Sequence, residues 1–262
     1  MSGENTAEDL LATLRLIAER AGKVILGYYV EEGEIEVREK ADASPVTEAD
    51  EAAEEFILEA LATLTPDIPV VSEEAAAAGH IPDVSGGRFW LVDPLDGTKE
   101  FLSRNGEFTV NIALIEDGAP TAGVVHAPAL AMTWAGAGPG NATFSETDHP
   151  PMPIAARAIP PDGAVVVASR RHGDKDMLER FLADYTVRDE VSAGSSIKFC
   201  LVANAKADLY PRFGRTMEWD TAAGHAVLLA AGGGVFRADD GAPLTYGKPG
   251  FENPYFIARG KS

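Results

Sequence analysis

The stretch Phe89-Trp90-Leu91-Val92-Asp93-Pro94-Leu95-Asp96-Gly97-Thr98 runs from apolar residues into two carboxylates three positions apart, then a glycine and a hydroxyl. The apolar part suits a buried strand. Pro94 has no N–H to give, so the ladder is expected to stop just after Asp93. Asp93 and Asp96 can then converge on one point at the strand's end. If a helix begins at Gly97 and Thr98, their backbone N–H groups stay free for an anion. One short segment thus offers hard oxygen ligands for a cation and a cradle for phosphate. A loop with two turn-forming aspartates is the plain alternative, and this segment alone leaves both open.

Three more stretches carry acids at similar places. Val70-Val71-Ser72-Glu73-Glu74 is a short apolar run ending in carboxylates, Thr47-Glu48-Ala49-Asp50 opens a helical pattern, and Trp219-Asp220-Thr221 opens another. Singly each has a bland role. Asp50 and Asp220 suit helix N-termini, and Glu73-Glu74 suits a solvated strand end. Gathered in one pocket, like-charged carboxylates cannot all stay ionised without a cation. An all-oxygen donor set points to Mg²⁺ or Mn²⁺. Zinc has no support, because His80, His126, His149, His172 and His225 show no H-x-x-x-H or H-E-x-x-H spacing.

The elements that must position these groups follow from periodicity. Leu10, Leu11, Leu14, Ile17, Ala18, Ala21, Val24 and Ile25 predict an amphipathic helix over 5–29. A short strand is expected at 35–39, and a second helix from Thr47 with Ala53, Phe56, Ile57, Ala60, Leu61 and Leu64 on one face. Runs at 70–71, 89–92, 108–115, 122–125 and 132–135 read as one partly antiparallel sheet, with a turn at Asp117-Gly118. The Gly-, Pro-, Ser- and Asp-rich stretch 136–163 is the candidate junction between subdomains 1–145, for metal and phosphate, and 160–262, for substrate. Beyond it come a strand at 164–168, a helix at 174–184, a helix at 195–205, a strand at 208–212, a helix at 220–231, and strands at 235–236 and 255–258. This order predicts layered α/β packing.

The 262 residues suffice for a substantial core. No stretch approaches the roughly 18–20 apolar residues that span a bilayer, and the N-terminus lacks the pattern of a secretory signal. Cys200 is the only cysteine; it sits on an apolar helix face, where it reads as core, and fits a reducing cytoplasm. The net charge of −19, spread along the chain, argues against a long nucleic-acid partner. A small anionic substrate would need cations in the site to invert the local field.

Asp93 to Thr98 together with Trp219-Asp220-Thr221-Ala222-Ala223-Gly224 resembles the inositol monophosphatase superfamily of lithium-sensitive, magnesium-dependent phosphatases. The resemblance covers nearly the whole chain. Asp96-Gly97-Thr98-Lys99-Glu100-Phe101, the run from Asn105 to Leu114, Gly194 to Cys200, and Leu209 to Gly214 are similar to its 3′(2′),5′-bisphosphate nucleotidase branch. The resemblance implies a five-layer αβαβα sandwich and two or three Mg²⁺ ions, Mn²⁺ being an alternative. It implies Glu73, Asp93 and the Leu95 carbonyl around a first ion, and Asp93, Asp96 and Asp220 around a second. Glu73 would also reach a third ion through water. Thr98 paired with Asp50 would activate the attacking water, and the Gly97 and Thr98 amides would hold phosphate.

In that branch adenosine 3′,5′-bisphosphate is cleaved to AMP and phosphate. Arg212 would meet the second phosphate, for which a guanidinium suits better than the carboxylate of inositol-type relatives. Gly194 and Ser195 would contact ribose or phosphate, Lys198 would face the same pocket, and Lys40 would reach it from a loop. Each has a structural alternative: a sheet-edge charge for Arg212, a helix cap for Ser195, a solvated side chain for Lys198. The competing functions are an inositol or sugar monophosphatase with the same metals and a non-catalytic metal-and-phosphate binding module. A homodimer stays open, as does peripheral attachment at the inner membrane, since relatives differ in both.

Overall fold

The computed structural model describes residues 7–30, 37–39, 45–169 and 174–261; Lys40 lies outside them. Helix α1 (Ala7–Val30) buries Leu11, Leu14, Ile17, Ala18, Ala21 and Ile25, spaced to face one way. A small hairpin, β1 (Val37–Glu39) with β2 (Pro45–Thr47), leads into α2 (Glu48–Leu64), which buries Ala49, Ala53, Ile57 and Leu61. Strand β3 (Val70–Ser72) runs parallel to β4 (Arg88–Asp96), with the short α3 (Glu73–Ala77) between them. After α4 (Thr98–Leu102) the chain meanders through β5 (Thr109–Glu116), β6 (Ala119–Ala127), β7 (Met132–Ala137), β8 (Ala142–Glu146) and β9 (Met152–Pro153). These make a seven-stranded sheet in the order β3-β4-β5-β6-β7-β8-β9, antiparallel from β4 onward. The turn between β5 and β6 has Asp117 and Gly118 both at positive φ, 49° and 78°, the twist a two-residue hairpin favours.

The second sheet holds β10 (Ala164–Ala168), β11 (Val187–Ser192), β12 (Leu209–Arg212), β13 (Gly234–Arg237) and β14 (Phe256–Arg259) in the order β11-β10-β12-β14-β13. Helices α5 (Lys175–Leu182), α6 (Ile197–Ala203) and α7 (Ala222–Ala230) alternate with its strands. Two hydrophobic cores define the layers. Under α1 and α2 lie Trp90, Val92, Val110, Ile112, Leu114 and Val124. On the opposite face Phe89, Leu91, Ala113 and Val125 meet Phe199, Cys200, Ala223 and Val227 of α6 and α7 and, beyond them, Tyr210 and Phe256 of the second sheet. Phe181 and Leu182 of α5 cover that sheet's outer face at Ala164, Val166 and Leu209. The stack is therefore α1/α2, large sheet, α6/α7, small sheet, α5: five layers. Because β4 is covered on both faces, its residues read as one apolar run rather than alternating.

Helix α7 lies close on the large sheet because both surfaces are small. A Cβ on Gly123 would stand 2.8 Å from the Ala226 Cβ, and one on Gly136 2.7 Å from the Ala230 Cβ. Several expectations need correcting. Pro94 does not end its strand: β4 continues to Asp96 through a bulge, which leaves unpaired the residue that has no N–H to pair. The stretch 136–163 contains β8 and β9, hidden by its glycines and prolines. Glu73 and Glu74 do not trail off a strand but begin α3. Strand β11, with Arg188, Asp189 and Glu190 exposed in succession, is an edge strand, where charges discourage further pairing. Helices α6 and α7 start two residues later than expected, since Ser195 is left-handed with φ 49° and Thr221 is the N-cap of α7. Among the described residues no helix is long and apolar enough to cross a membrane.

Beneath α1, His126 of β6 is buried, its Nδ1 2.9 Å from Thr133 Oγ1 and 3.1 Å from the Met132 carbonyl oxygen. Burial holds its pKa down at about 4, against 6.5 for a free imidazole. The unfolded chain takes up this proton below about pH 6.5 and the folded one only below about 4, so stability is lost as pH falls through that window. His225, pushed down to about 3 by burial, acts in the same direction. Replacing His126 by Gln is expected to shrink the difference in unfolding free energy between pH 7 and pH 4.5 by roughly 2 kcal/mol. Denaturant titrations at the two pH values check it; an undiminished difference would place the acid sensitivity elsewhere.

Candidate active site

Strand register puts the first two acids side by side. Ser72 of β3 is level with Val92 of β4, so Glu73 and Asp93 emerge next to each other at the sheet's end. The bulge sets the third. Asp93 pairs with Asn111 and Asp96 with Thr109, three steps on β4 against two on β5. In a straight strand residues three apart face opposite ways; the extra residue turns Asp96 back to the side of Asp93. The Leu95 amide donates to Asp93 Oδ1 at 3.1 Å and fixes the bend. Asp220 arrives from the loop before α7, held by the Met217 amide at 2.8 Å. One carboxylate oxygen each from Glu73, Asp93 and Asp220 lie within 4.8 Å of one another. Asp96 stands outside that triplet but lines the same cavity, and its charge bears on Asp220.

Such crowding shows in the carboxyl groups. Burial raises the pKa of Asp96 to about 6, the charges of Glu73 and Glu100 adding to the effect and Lys198 opposing it. Burial, then Asp96 and Glu73, push Asp220 well above the ordinary range. The donor set is all oxygen, and Asn111 Oδ1, buried among these groups, has no hydrogen-bond partner. A hard divalent cation fits this arrangement and relieves the repulsion.

Asp50 is both helix cap and site residue, through different oxygens. Its Oδ2 accepts from the Thr47 amide at 2.8 Å and Thr47 Oγ1 at 2.6 Å, completing a capping box at the start of α2. Its Oδ1 accepts from Thr98 Oγ1 at 3.2 Å. The same hydroxyl is 3.5 Å from the Leu95 carbonyl oxygen. Gly97, with φ 94°, must be glycine twice over: the backbone is left-handed, and a Cβ would run into Ser195 Oγ.

A cavity of about 280 Å³ opens over these groups. Glu73, Asp96, Glu100 and Asp220 line it together with the cationic Lys99, Lys198, Arg212 and Arg215. Gly194 and Ser195 line it too, but their polar atoms are engaged within the protein. The Gly194 amide donates to Glu107 Oε2 at 2.7 Å, and Ser195 Oγ lies 2.8 Å from both the Asp96 and the Glu107 carbonyl oxygens. Ser195 is therefore not a helix cap. Lys198 is not a solvated side chain: its Nζ donates to the Ser195 carbonyl at 2.6 Å and the Ala193 carbonyl at 3.2 Å, and burial lowers its pKa to about 8. Arg212 is not a plain sheet-edge charge, since it faces the cavity and donates from Nη2 to the Arg215 carbonyl at 3.1 Å.

Glu107, Asn111 and Ser196 carry no signal in type and spacing. Their place depends on the bulge and on contacts across nearly ninety residues, such as Asn111 Nδ2 to Ser196 Oγ with a separation of 85. Residues 6–255 match the model of the inositol monophosphatase family. The chain belongs to that family. Within it, the 3′(2′),5′-bisphosphate nucleotidase CysQ of Salmonella typhimurium is 49% identical over 92% of this chain and 95% of its own length. CysQ of Escherichia coli K12 is 48% identical over the same shares. Among solved structures, CysQ from Bacteroides thetaiotaomicron superposes with a TM-score of 0.82 and 38% identity over 98% of each chain. An inositol monophosphatase from Zymomonas mobilis reaches 0.77 with 26% identity, over 98% of this chain and 94% of its own. Inositol monophosphatases are in general metal-dependent, in keeping with the acid cluster.

Below about pH 6 a cation entering this site has to displace the proton that burial and neighbouring charges favour on Asp96. Divalent affinity is therefore expected to weaken as pH falls below about 6, by roughly tenfold per pH unit for each proton released. Calorimetric Mn²⁺ titrations between pH 5 and 8 measure this; a flat profile would mean the carboxylates enter the site already ionised.

Proposed function

We propose that this chain is a Mg²⁺-dependent phosphatase that removes a phosphate from adenosine 3′,5′-bisphosphate, giving AMP and inorganic phosphate. The observation that carries the reading is one cavity lined both by the carboxylates of Glu73, Asp96, Glu100 and Asp220 and by four cationic side chains, Lys99, Lys198, Arg212 and Arg215, in a protein of net charge −19. A substrate with a single phosphate has no use for so many cations beyond a metal centre. A second phosphate does. The names of the relatives near 49% identity support the same substrate.

Glu73, Asp93, Asp96, Asp220 and the Leu95 carbonyl would hold the ions. The chemistry supplied there by bound Mg²⁺ would be neutralisation of the ester's charge and a lower pKa for the attacking water. The chain's own residues orient the reactants. The Thr98 hydroxyl donates to Asp50 Oδ1, so its oxygen can accept from an attacking water, whose proton would pass through it to Asp50 as the base. Asp50 cannot turn away, because Thr47 grips its other oxygen. The left-handed bend at Gly97 presents the unpaired amides at the start of α4 to the scissile phosphate. Arg212 reaches the second phosphate as a planar donor. Lys198 supports it as a buried cation that also shapes the Gly194-Ser195 turn against the ribose.

With Mg²⁺, phosphate release is expected to be fastest from adenosine 3′,5′-bisphosphate in a panel with inositol 1-phosphate and fructose 1,6-bisphosphate. Fastest turnover of the inositol ester would sink the nucleotidase reading. Asp93→Asn should cut kcat severely, and near-normal activity would mean the cation sits elsewhere. Arg212→Ala should lower kcat/KM for the bisphosphate by about tenfold to a hundredfold while sparing a nucleoside monophosphate; equal losses on both remove Arg212 from selectivity.

A further inference from the structure

Asn111 is a buried amide in the middle of a strand, at 1% exposure, directly across from Asp93. Its Nδ2 donates to Ser196 Oγ at 3.1 Å and, more weakly, toward Asp96 Oδ2 at 3.4 Å. Ser196 Oγ in turn donates to the Asp220 carbonyl at 2.7 Å. The amide therefore touches or adjoins the three stretches that bring Asp93, Asp96 and Asp220 to the cavity. Ser196 precedes α6, yet its hydroxyl makes no capping bond there; its bonds are to Asn111 and Asp220. Asn111 Oδ1 is buried with no hydrogen-bond partner. A side chain serving packing alone would not carry that unsatisfied oxygen, since leucine has nearly the same size and no polar atom to bury. The flipped amide would aim its oxygen at the Asp96 carboxylate, so the orientation is fixed by its partners.

We propose that Asn111 is a positioning residue for the cation site: through Ser196 it ties the Asp220 loop to the Asp96 carboxylate and fixes the placement of one against the other. The inference rests on the metal-dependent reading above. Groups standing behind metal ligands typically cost about ten- to hundredfold in affinity when removed, which sets the size of the effect.

The test is Mn²⁺ binding followed by electron paramagnetic resonance, with thermal unfolding recorded in chelator on the same samples. Wild-type protein that takes up no Mn²⁺ overturns the metal reading itself, separately from this inference. If wild type binds, Asn111→Leu is expected to weaken Mn²⁺ affinity about ten- to hundredfold while the metal-free Tm stays level or rises. Unchanged affinity overturns the proposal, and so does a weakened affinity accompanied by a lower metal-free Tm, which marks a structural role. Ser196→Ala, which removes the middle link without removing a cap, is expected to give part of the same loss. Combined with Asn111→Leu it should add little, because both break one chain of contacts. Losses that multiply in full would show the two residues acting independently.

Discussion

Several carboxylates crowded together at one half-buried cavity are the constraint around which this molecule is arranged. Lost hydration first, and the neighbouring carboxylates after it, raise the pKa of Asp96 and Asp220. Side chains free to move would relax by turning out into solvent. They do not, because each leaves a segment fixed by something unrelated to the site: the β3–β4 ladder for Glu73 and Asp93, a bulge for Asp96, a helix cap for Asp50, and the close-packed start of α7 for Asp220. The fold acts as a frame that keeps like charges near one another until a cation makes the arrangement favourable.

The same frame sets a gradient across the cavity. Lys198 and Asp96 sense each other, the lysine opposing the rise of the carboxyl and the carboxylate opposing the fall of the amine. Burial dominates both, so each is moved toward its neutral form. An anion that brings its own charge into this region meets cations that are only partly compensated by protein. In a chain of strongly negative net charge, the cavity thus gathers basic side chains beside its acids.

What the sequence discloses here depends on the range of the interaction. Periodicity locates α1 and α2 within a few residues because their burial is written every third or fourth position. The five acids stand out because strand ends and helix starts are local events, and the family resemblance then supplies the layer order. Pro94 shows the limit: its missing N–H argues correctly that the ladder is interrupted, but not that pairing resumes at Asp96, which depends on a strand arriving from further along. Ser195 and Lys198 show another. Their types suit a ligand, yet where their polar atoms point is decided by carbonyls at Asp96, Glu107, Ala193 and Ser195 itself. Asn111 has no local signature, being one polar residue in a strand otherwise fit for the core.

The Asp220 loop is gripped from behind as firmly as from the front. Glu218 is fully buried, and its carboxylate accepts from the Gly247 amide at 2.7 Å, the Lys248 amide at 2.9 Å and Lys248 Nζ at 2.6 Å. Lys248 also reaches Asn253, whose own Nδ2 donates to the Met217 carbonyl at 2.8 Å and to Thr221 Oγ1 at 3.0 Å. An ion pair of this kind, buried on the Glu218 side and partly exposed at Lys248, adds little net stability over an apolar replacement, but its bonds are directional and admit few alternative loop conformations. Apolar packing under α7, at Gly123 and Gly136, sets how near the helix approaches the large sheet. Polar bonds from 245–253 set how its leading loop is turned. Distance and orientation of one carboxylate are thus controlled by two different kinds of force, and neither could substitute for the other: close packing does not choose a rotation, and hydrogen bonds at the rear do not bring a helix down onto a sheet.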